Sequence, residues 1–556
     1  MNTPSHLAAA TTALALLLPC AAEVSLEDGA KSHLGKLTQD SLPGLAVLVA
    51  RDGKIVYQAG FGFADIEKKL PVTPETKFRI GSVSKQFTAA ALLRLADEGK
   101  LSLDDPLEKY FPGFPRAADI PIHRLLTHTS GIHSYTSKPD FMTRVVAPVA
   151  PADLIAYFRD DPPDFAPGEK FLYNNSGYFL AGEIVAKASD QSLDAYLRTS
   201  FFEPLGMKDT GIYVNAQPPP GIARGYSMVE GKPTPALDWD MSWAGGAGAL
   251  YSTVGDLFRW NEALFGGQVL KPESFAKMTA KMQLSPGKEE AYGYGVALAS
   301  FHRLPAVSHG GGLNGWSSDL ARLPDHHVTV VALANALPAV DGREPTGLTR
   351  QIVGKLLATE IKALPPLLED PNVDKKSFPD FVGRYDYAGA VMTVTTEDSR
   401  LFAQLTNQPK FEIFPSAPNE FFWKVTDAQV KFLRDESGAV SAAEHTQNGN
   451  TFKAPRLTAP AVSLTAEELD AILGSYQYGP SVLTVTRDGE SVFAQLTGQQ
   501  KFQIHPKSAT EFEWKVVSAS VVFVKDADGK VTKAVHTQNG ATFDAPKIGT
   551  PGTPDK

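Results

Sequence analysis

The sequence predicts a multidomain protein, an α/β domain followed by two small antiparallel β-barrels. Three observations carry this. Strand-like runs open and close the first three hundred or so residues, while helical patterns fill the middle. The composition changes after Leu364-Pro365-Pro366-Leu367, from helical periods to aromatic-rich alternation. A set of short segments then recurs at one fixed spacing, the mark of a duplicated unit. A chain of 556 residues is too long for one compact core.

Composition excludes several classes. Hydrophobic residues are 43% and charged residues 21%, ordinary values for a globular protein. A net charge of -9 offers no basic footprint for nucleic acid. The one cysteine, Cys20, lies in an N-terminal apolar run. A mature form cut after that run has no disulfide, no thiolate metal site and no cysteine nucleophile. Residues 1–22 read as an export signal: the run is too short to span a bilayer, and small residues at 20 and 22 suit cleavage before Glu23. The expectation is a soluble periplasmic or secreted protein, with lipid anchoring at Cys20 the minority reading.

The first domain, residues 23–365, begins with a hairpin: Ala46–Ala50, a turn at Asp52-Gly53, then Ile55–Gly60. Residues 83–98 place Phe87, Ala90, Ala91, Leu92, Leu95 and Ala96 at helical spacing, with Gly99 as a stop. Helical patterns recur at 152–158, 177–188, 192–201, 254–265 and 349–362. Strand-like runs return at 293–299, 304–308, 317–323 and 328–335, so one sheet should join both ends of this segment. A linker at 366–376 leads to the repeats, 377–457 and 468–548, and a tail at 549–556. Phe402-Ala403-Gln404-Leu405-Thr406 returns as Phe493-Ala494-Gln495-Leu496-Thr497, 493 − 402 = 91 residues on. Tyr385 and Tyr476, Trp423 and Trp514, and His445-Thr446-Gln447-Asn448-Gly449 and His536-Thr537-Gln538-Asn539-Gly540 keep the same offset. The paired His-Thr-Gln-Asn-Gly segments read as a shared turn or barrel-closing feature.

The chemistry centres on Gly81-Ser82-Val83-Ser84-Lys85. Ser-x-x-Lys alone is weak: about two matches arise by chance in such a chain, and this one has three, at Ser82/Lys85, Ser274/Lys277 and Ser285/Lys288. Only Ser82 follows a strand-like run and opens a strong helix, where i and i+3 share a face and Lys85 can reach Ser82 Oγ. The helix N-terminus adds N–H groups and positive potential, which favour an oxyanion and a neutral lysine. Tyr173-Asn174-Asn175 offers a phenol and an amide at a loop-to-helix junction, although Tyr213-x-Asn215 matches the same pattern. Ser308-His309-Gly310-Gly311-Gly312 ends a strand, and its glycines let a substrate lie close to the backbone. His128 reads as a fold-supporting residue and His326-His327 as a surface turn.

Together these segments resemble the serine β-lactamase and penicillin-binding-protein superfamily, in the branch holding class C β-lactamases, DD-peptidases, D-aminopeptidases and related esterases. Ser82-Val83-Ser84-Lys85 matches the first motif, Tyr173-Asn174-Asn175 the second, and His309-Gly310-Gly311 stands where many members carry Lys-Thr-Gly. Leu125-Leu126-Thr127-His128-Thr129-Ser130-Gly131 and Ala244-Gly245-Gly246-Ala247-Gly248, followed by Asp256-Leu257, agree. The whole layout is similar to that of D-aminopeptidase. The resemblance implies an antiparallel sheet flanked by helices, and lipocalin-like barrels behind it. It implies an acyl-enzyme on Ser82, with Lys85 and Tyr173 sharing the general-base role. Asn175 would hold Lys85 or the substrate amide, and His309 and Gly311 would bind substrate. The backbone N–H groups of Ser82 and Gly312 would form the oxyanion hole. The expected partner is a small-molecule or peptide substrate, and nothing calls for a metal or organic cofactor. His309 replaces a permanent cation with a group expected near half-charge at neutral pH. That moves the reading from β-lactamase or DD-carboxypeptidase towards a peptidase, amidase or esterase. A non-catalytic sensor with ligand-binding barrels is the alternative from another class.

Overall fold

The computed structural model describes residues 42–549, apart from 230, 286–287, 341, 364–366, 388–389, 407, 427, 436, 448–449, 458–463, 479–480, 490, 498–500, 515–518, 527 and 539–540. The proposed export segment with Cys20, the centre of the Leu364–Leu367 break and residues 550–556 of the tail lie outside the described residues. The chain divides into a unit ending at Leu364 and a second beginning at Pro365.

The first unit is built on a six-stranded antiparallel sheet: β1 (Leu45–Arg51), β2 (Lys54–Phe61), β3 (Ala297–Phe301), β4 (Leu304–Leu313), β5 (Trp316–Leu323) and β6 (Val328–Ala334). The order is β3-β4-β5-β6-β1-β2, so the first strand of the unit pairs with the last, Leu45 opposite Ala334 and Arg51 opposite Val328. Both faces of β1 are covered. Leu45, Val47 and Val49 pack towards the helix Pro345–Leu356, and Ala46 and Leu48 towards the helical half. A strand buried on both faces reads as a continuous apolar run, and Leu45–Ala50 is one.

The helix Ser84–Asp97 crosses the middle of the unit with Ala89, Ala90, Ala91, Leu92, Leu93 and Leu95 fully buried. A helix apolar on every side is a core helix. Phe87 stacks on Trp260 with ring centroids 4.0 Å apart, tying it to the helix Val254–Phe265. The end of β6 is pinned by Asn335, which is fully buried. Its Oδ1 accepts from the Gly44 N–H at 2.6 Å, and its Nδ2 donates to Phe63 O, Ala64 O and Arg224 O at 3.1, 3.2 and 2.8 Å.

Some expected elements differ. The run 293–299 is strand only from Ala297, because Gly293 N–H bonds Val296 O and Gly295 has φ 71°. Tyr-Gly-Tyr-Gly imitates the two-residue period of a strand while making a turn. The pattern at 349–362 splits into Pro345–Leu356 and Ala358–Ala363. That at 192–201 becomes Leu193–Leu197 followed by a π-turn, Arg198–Phe202.

In the second unit, eight strands from Gly383–Asp386 to Asn450–Leu457 close on themselves, with Arg384 opposite Leu457. Eight more, from Gly474–Tyr478 to Ala541–Gly549, do the same. Each barrel is stoppered by a short helix, Phe378–Phe381 or Ala466–Ile472. Tyr385 donates to Phe381 O at 2.7 Å and Tyr476 to Ile472 O at 2.6 Å, so the paired tyrosines of the repeat do one job twice.

Replacing Asn335 with alanine strands the Gly44 N–H and takes a donor from three carbonyls, of which Ala64 O keeps the Arg224 N–H. The N-terminal unit should lose about 1–3 kcal/mol, read as a lower urea midpoint for one transition while the other stays in place.

Candidate active site

Ser82 lies on a one-turn 3-10 helix, Gly81–Val83, between the two-residue strand Phe78–Arg79 and the helix Ser84–Asp97. The turn is fixed from both sides. Ile80 N–H bonds Leu250 O, Leu250 N–H bonds Ser84 Oγ at 3.1 Å, and Ser318 Oγ donates to Ile80 O at 2.8 Å. Strand β4 presses against it: a Cβ on Gly311 would lie 2.1 Å from Ile80 O, and one on Gly81 would lie 3.0 Å from Gly312 N. Only glycine permits this approach. It brings the Gly312 amide beside the turn that carries Ser82, as an oxyanion hole built from these two residues requires.

Lys85 is fully buried. Its Nζ lies 3.0 Å from Ser82 Oγ, 2.9 Å from Asn175 Oδ1 and 2.8 Å from Ala247 O. Burial drives its pKa well below the usual lysine value. Asn175 Oδ1 and Ala247 O can only accept, so they take two of the amine's hydrogens. Its third bonding position faces Ser82 Oγ. Asn175 is the first residue of the helix Asn175–Ser189, whose N-cap Asn174 accepts from Gly177 N–H at 2.7 Å. Its own Nδ2 donates to Thr136 Oγ1 at 3.1 Å, which orients Oδ1 towards the lysine. Ala247 comes from the short helix Gly245–Gly248, which packs on the Asn175 helix where a Cβ on Gly246 would meet Tyr178 O at 2.6 Å. This explains the Ala-Gly-Gly-Ala-Gly run.

Tyr173 precedes that cap. Its ring centroid is 4.8 Å from Lys85 Nζ. The residue keeps 38% of its surface open, so the desolvation that raises its phenol acts on the hydroxyl end, with a bond to Ser82 as a smaller opposing effect. The resting group is a phenol, not a phenolate.

His309 is 6% exposed and joins a chain of neutral groups. Its Nδ1 lies 2.6 Å from Gly310 O, an atom that only accepts, so Nδ1 carries the proton. Its Nε2 therefore accepts, and Tyr292 Oη lies 2.8 Å away. His128 Nδ1 accepts from Asn174 N–H at 3.0 Å, so its proton sits on Nε2, 3.1 Å from Tyr292 Oη. The tyrosine thus accepts from His128 and donates to His309. Burial, the largest cause, lowers the His309 pKa to about 3, and burial likewise holds His128 well below the usual histidine value. The half-charge expected of His309 at neutral pH is therefore corrected: the imidazole is neutral.

The structure gathers Ser82, Lys85, Tyr173 and Asn175 directly, with His309, Gly311 and Gly312 along one strand beside them. It leaves the decoys elsewhere. Ser274, in the helix Pro272–Met278, donates to Asp97 Oδ1 of the core helix at 2.7 Å, and Asn215 holds the 238–241 loop through Trp239 O and Met241 N. Side chains of Ser285 and Lys288 lie outside the described residues. His326 and His327 form a surface turn. Sequence reasoning missed Tyr292, whose only signal is its place in a Tyr-Gly-Tyr-Gly turn, and saw His128 as a fold residue without its link to His309.

Comparison with known proteins decides the family. The "Beta-lactamase" family matches residues 29–353, more than half of the chain. The chain belongs to the beta-lactamase family. A second family, "Domain of unknown function (DUF3471)", matches residues 369–453. Among relatives, the chain is 29% identical to Penicillin-binding protein 4* of Bacillus subtilis, over 71% of this chain and 91% of that protein. It is 28% identical to a D-aminopeptidase of Gluconobacter oxydans, over 53% of this chain and 56% of that protein. Among solved structures, D-amino acid amidase from Ochrobactrum anthropi SV3 superposes with TM-score 0.52 at 26% identity, covering 60% of this chain and 98% of that one. The penicillin-binding protein homologue from Pyrococcus abyssi, at TM-score 0.53 and 24% identity, shares the fold over 86% of this chain and 98% of its own. This beta-lactamase-family domain is thus followed by two closed eight-stranded barrels. Among the described residues no helix is long and apolar enough to cross a membrane.

Tyr292→Phe should leave His128 Nε2–H and His309 Nε2 without partners. A loss of about 1–3 kcal/mol for buried groups left unpaired is expected in thermal unfolding. His309 should also begin to titrate nearer to neutrality, visible as a moved imidazole resonance in NMR. An imidazole that titrates as in the parent protein would show that the tyrosine does not set its state.

Proposed function

We propose that this protein is an exported serine amidohydrolase that forms an acyl-enzyme on Ser82 and acts on small amides and peptides. The observation that carries the reading is the buried Lys85 amine, with two fixed acceptors and its third bonding position 3.0 Å from Ser82 Oγ, where a neutral amine presents its lone pair. In the first step Lys85 Nζ takes the Ser82 proton while Oγ attacks the substrate carbonyl. The carbonyl oxygen becomes an oxyanion facing the Ser82 and Gly312 amides. Tyr173, held as a phenol, gives its proton to the leaving nitrogen and recovers one from Lys85. The C–N bond breaks, the amine leaves, and water then attacks the ester carbon with the same groups run in reverse. Assigning the first proton to Lys85 rests on the opposite shifts of the two groups: the amine is pushed down and the phenol up.

The substrate class follows from His309. A neutral imidazole with both nitrogens engaged offers no cation to a terminal carboxylate. This favours substrates whose scissile bond ends in an amide or in a peptide without a free carboxylate next to it. It disfavours β-lactams and D-Ala-D-Ala ends, and the chain's similarity to a D-aminopeptidase and a D-amino acid amidase supports amides as the substrate class. Esters are a second substrate class on the same chemistry, since an alkoxide leaves more easily than an amine.

A fluorophosphonate probe should label the protein, and Ser82→Ala should abolish the labelling. Undiminished labelling of that variant would remove the assignment. Lys85→Ala should cut turnover of D-phenylalanine amide by about 10²–10⁴-fold, the usual worth of a positioned base. D-amino acid amides should be hydrolysed well ahead of nitrocefin and of carboxylate-ended D-Ala-D-Ala.

A pH profile provides a separate check. Lys85 is a base whose pKa is lowered in the folded protein, so kcat/KM should fall as pH drops through that lowered pKa. His309, already neutral above about 3, adds no step near neutrality. His309→Gln should therefore keep the acid limb, and its disappearance in that variant would transfer the base to the histidine.

A further inference from the structure

The barrels carry matched interior side chains that the hydrolase chemistry does not use. The first barrel holds a cavity of about 450 Å³ whose lining includes no residue of the helix Phe378–Phe381. Trp423, Tyr387, Phe411 and Met392 form its walls, with His445 and Gln447 at its polar side. Among the described residues lining it, none bears a formal charge. His445 Nδ1 lies 3.1 Å from Tyr387 Oη, and its ring sits 5.2 Å from Trp423. A volume of this size is in the range of small-molecule sites, roughly 300–1,000 Å³. An apolar wall with a few convergent polar atoms is their usual construction.

The second barrel repeats the trio as Tyr478, Trp514 and His536, each 91 residues on. The geometry repeats as well. Tyr478 and His536 rings are 5.5 Å apart against 5.4 Å for Tyr387 and His445, and Trp514 and His536 are 5.0 Å apart. Here Tyr478 Oη and His536 Nε2 are buried without a hydrogen-bond partner. An orphaned buried polar atom costs about 1–3 kcal/mol, and two converging on one interior are an expensive way to pack a barrel. Leucine or phenylalanine would pack it without that cost. His445 and His536 lie within the strands Val440–Gln447 and Val531–Gln538. A shared turn does not need a histidine that packs on a tryptophan and a tyrosine.

We propose that the barrels are binding sites, one in each copy, for an uncharged and largely apolar small molecule with a hydroxyl head group. The uncharged lining sets the first property and the aromatic walls the second. The head group follows from the second barrel, where Tyr478 Oη and His536 Nε2 have no partner, because a hydroxyl can accept from one and donate to the other. This holds whatever the substrate of Ser82.

The test is isothermal titration calorimetry of the full chain with 1-naphthol, with 1-methylnaphthalene as the analogue lacking the hydroxyl, and with 4-hydroxynaphthalene-1-sulfonate as the anion. Naphthol should bind with one equivalent per barrel, and removing its hydroxyl should weaken binding about tenfold, the worth of one buried hydrogen bond. The sulfonate should bind far more weakly. Ala403→Trp and Ala494→Trp, which fill the two interiors from buried positions, should each remove one equivalent. Since a filled barrel can fail to fold, Tyr387→Phe with Tyr478→Phe provides the second variant. It keeps both rings and should abolish the preference for naphthol over methylnaphthalene. Absence of naphthol binding, tight binding of the sulfonate, or an unchanged preference in the double phenylalanine variant would each overturn the proposal.

Discussion

The structure depends on a lysine amine placed where no charge is comfortable. Lys85 is sealed in the core of the first unit, and three oxygens from three chain segments surround its nitrogen. A charged ammonium there would carry a desolvation cost of several kcal/mol, which pushes the pKa of the group well below the usual lysine value. Much of the local architecture serves that outcome. The core helix holds the Lys85 backbone rigid, a cap residue fixes the start of the Asn175 helix, and glycine contacts let the Ala247 carbonyl and the Gly312 amide come close. The closing of the sheet between β1 and β6 holds these parts in one body, although they are spread over more than two hundred residues of chain.

What could be read in the sequence followed from the range of the interactions. Ser82 and Lys85 are three apart at a helix entry, so their contact is a property of local geometry. Tyr173 and Asn175 flank a helix cap, also local. The sheet closing on itself was legible because strand patterns bracketed the helical ones. The state of His309 was not legible. It depends on burial and on Tyr292, a residue inside a turn that imitates a strand, and on His128, 164 residues from that tyrosine. A histidine read alone carries its solution pKa, and only its surroundings remove the charge.

The barrels show the same division. An exact register of repeats announced a duplication, and alternation announced strands. The interior was hidden, because a period of two says which residues share a face but not what the face encloses. Closure turned Tyr387, Trp423 and His445 from three distant residues into one wall of a cavity.

Three basic nitrogens crowd the site: Lys85, His128 and His309. In the proposed reaction one of them must take the serine proton and the others must not. Basicity alone does not make that choice, since burial weakens all three. The hydrogen-bond chain does. Its direction is set at both ends by backbone atoms that cannot reverse: Asn174 N–H can only donate and Gly310 O can only accept. Between them every ring nitrogen and the Tyr292 hydroxyl have their roles assigned, and neither histidine keeps a free lone pair towards Ser82. Lys85 has fixed acceptors for two hydrogens and its third bonding position faces Ser82 Oγ, so in the proposed reaction it alone of the three presents a basic site to the nucleophile. Among these three nitrogens, backbone polarity thus selects the base in the proposed reaction, and the proton stays next to Tyr173, where the leaving group needs it.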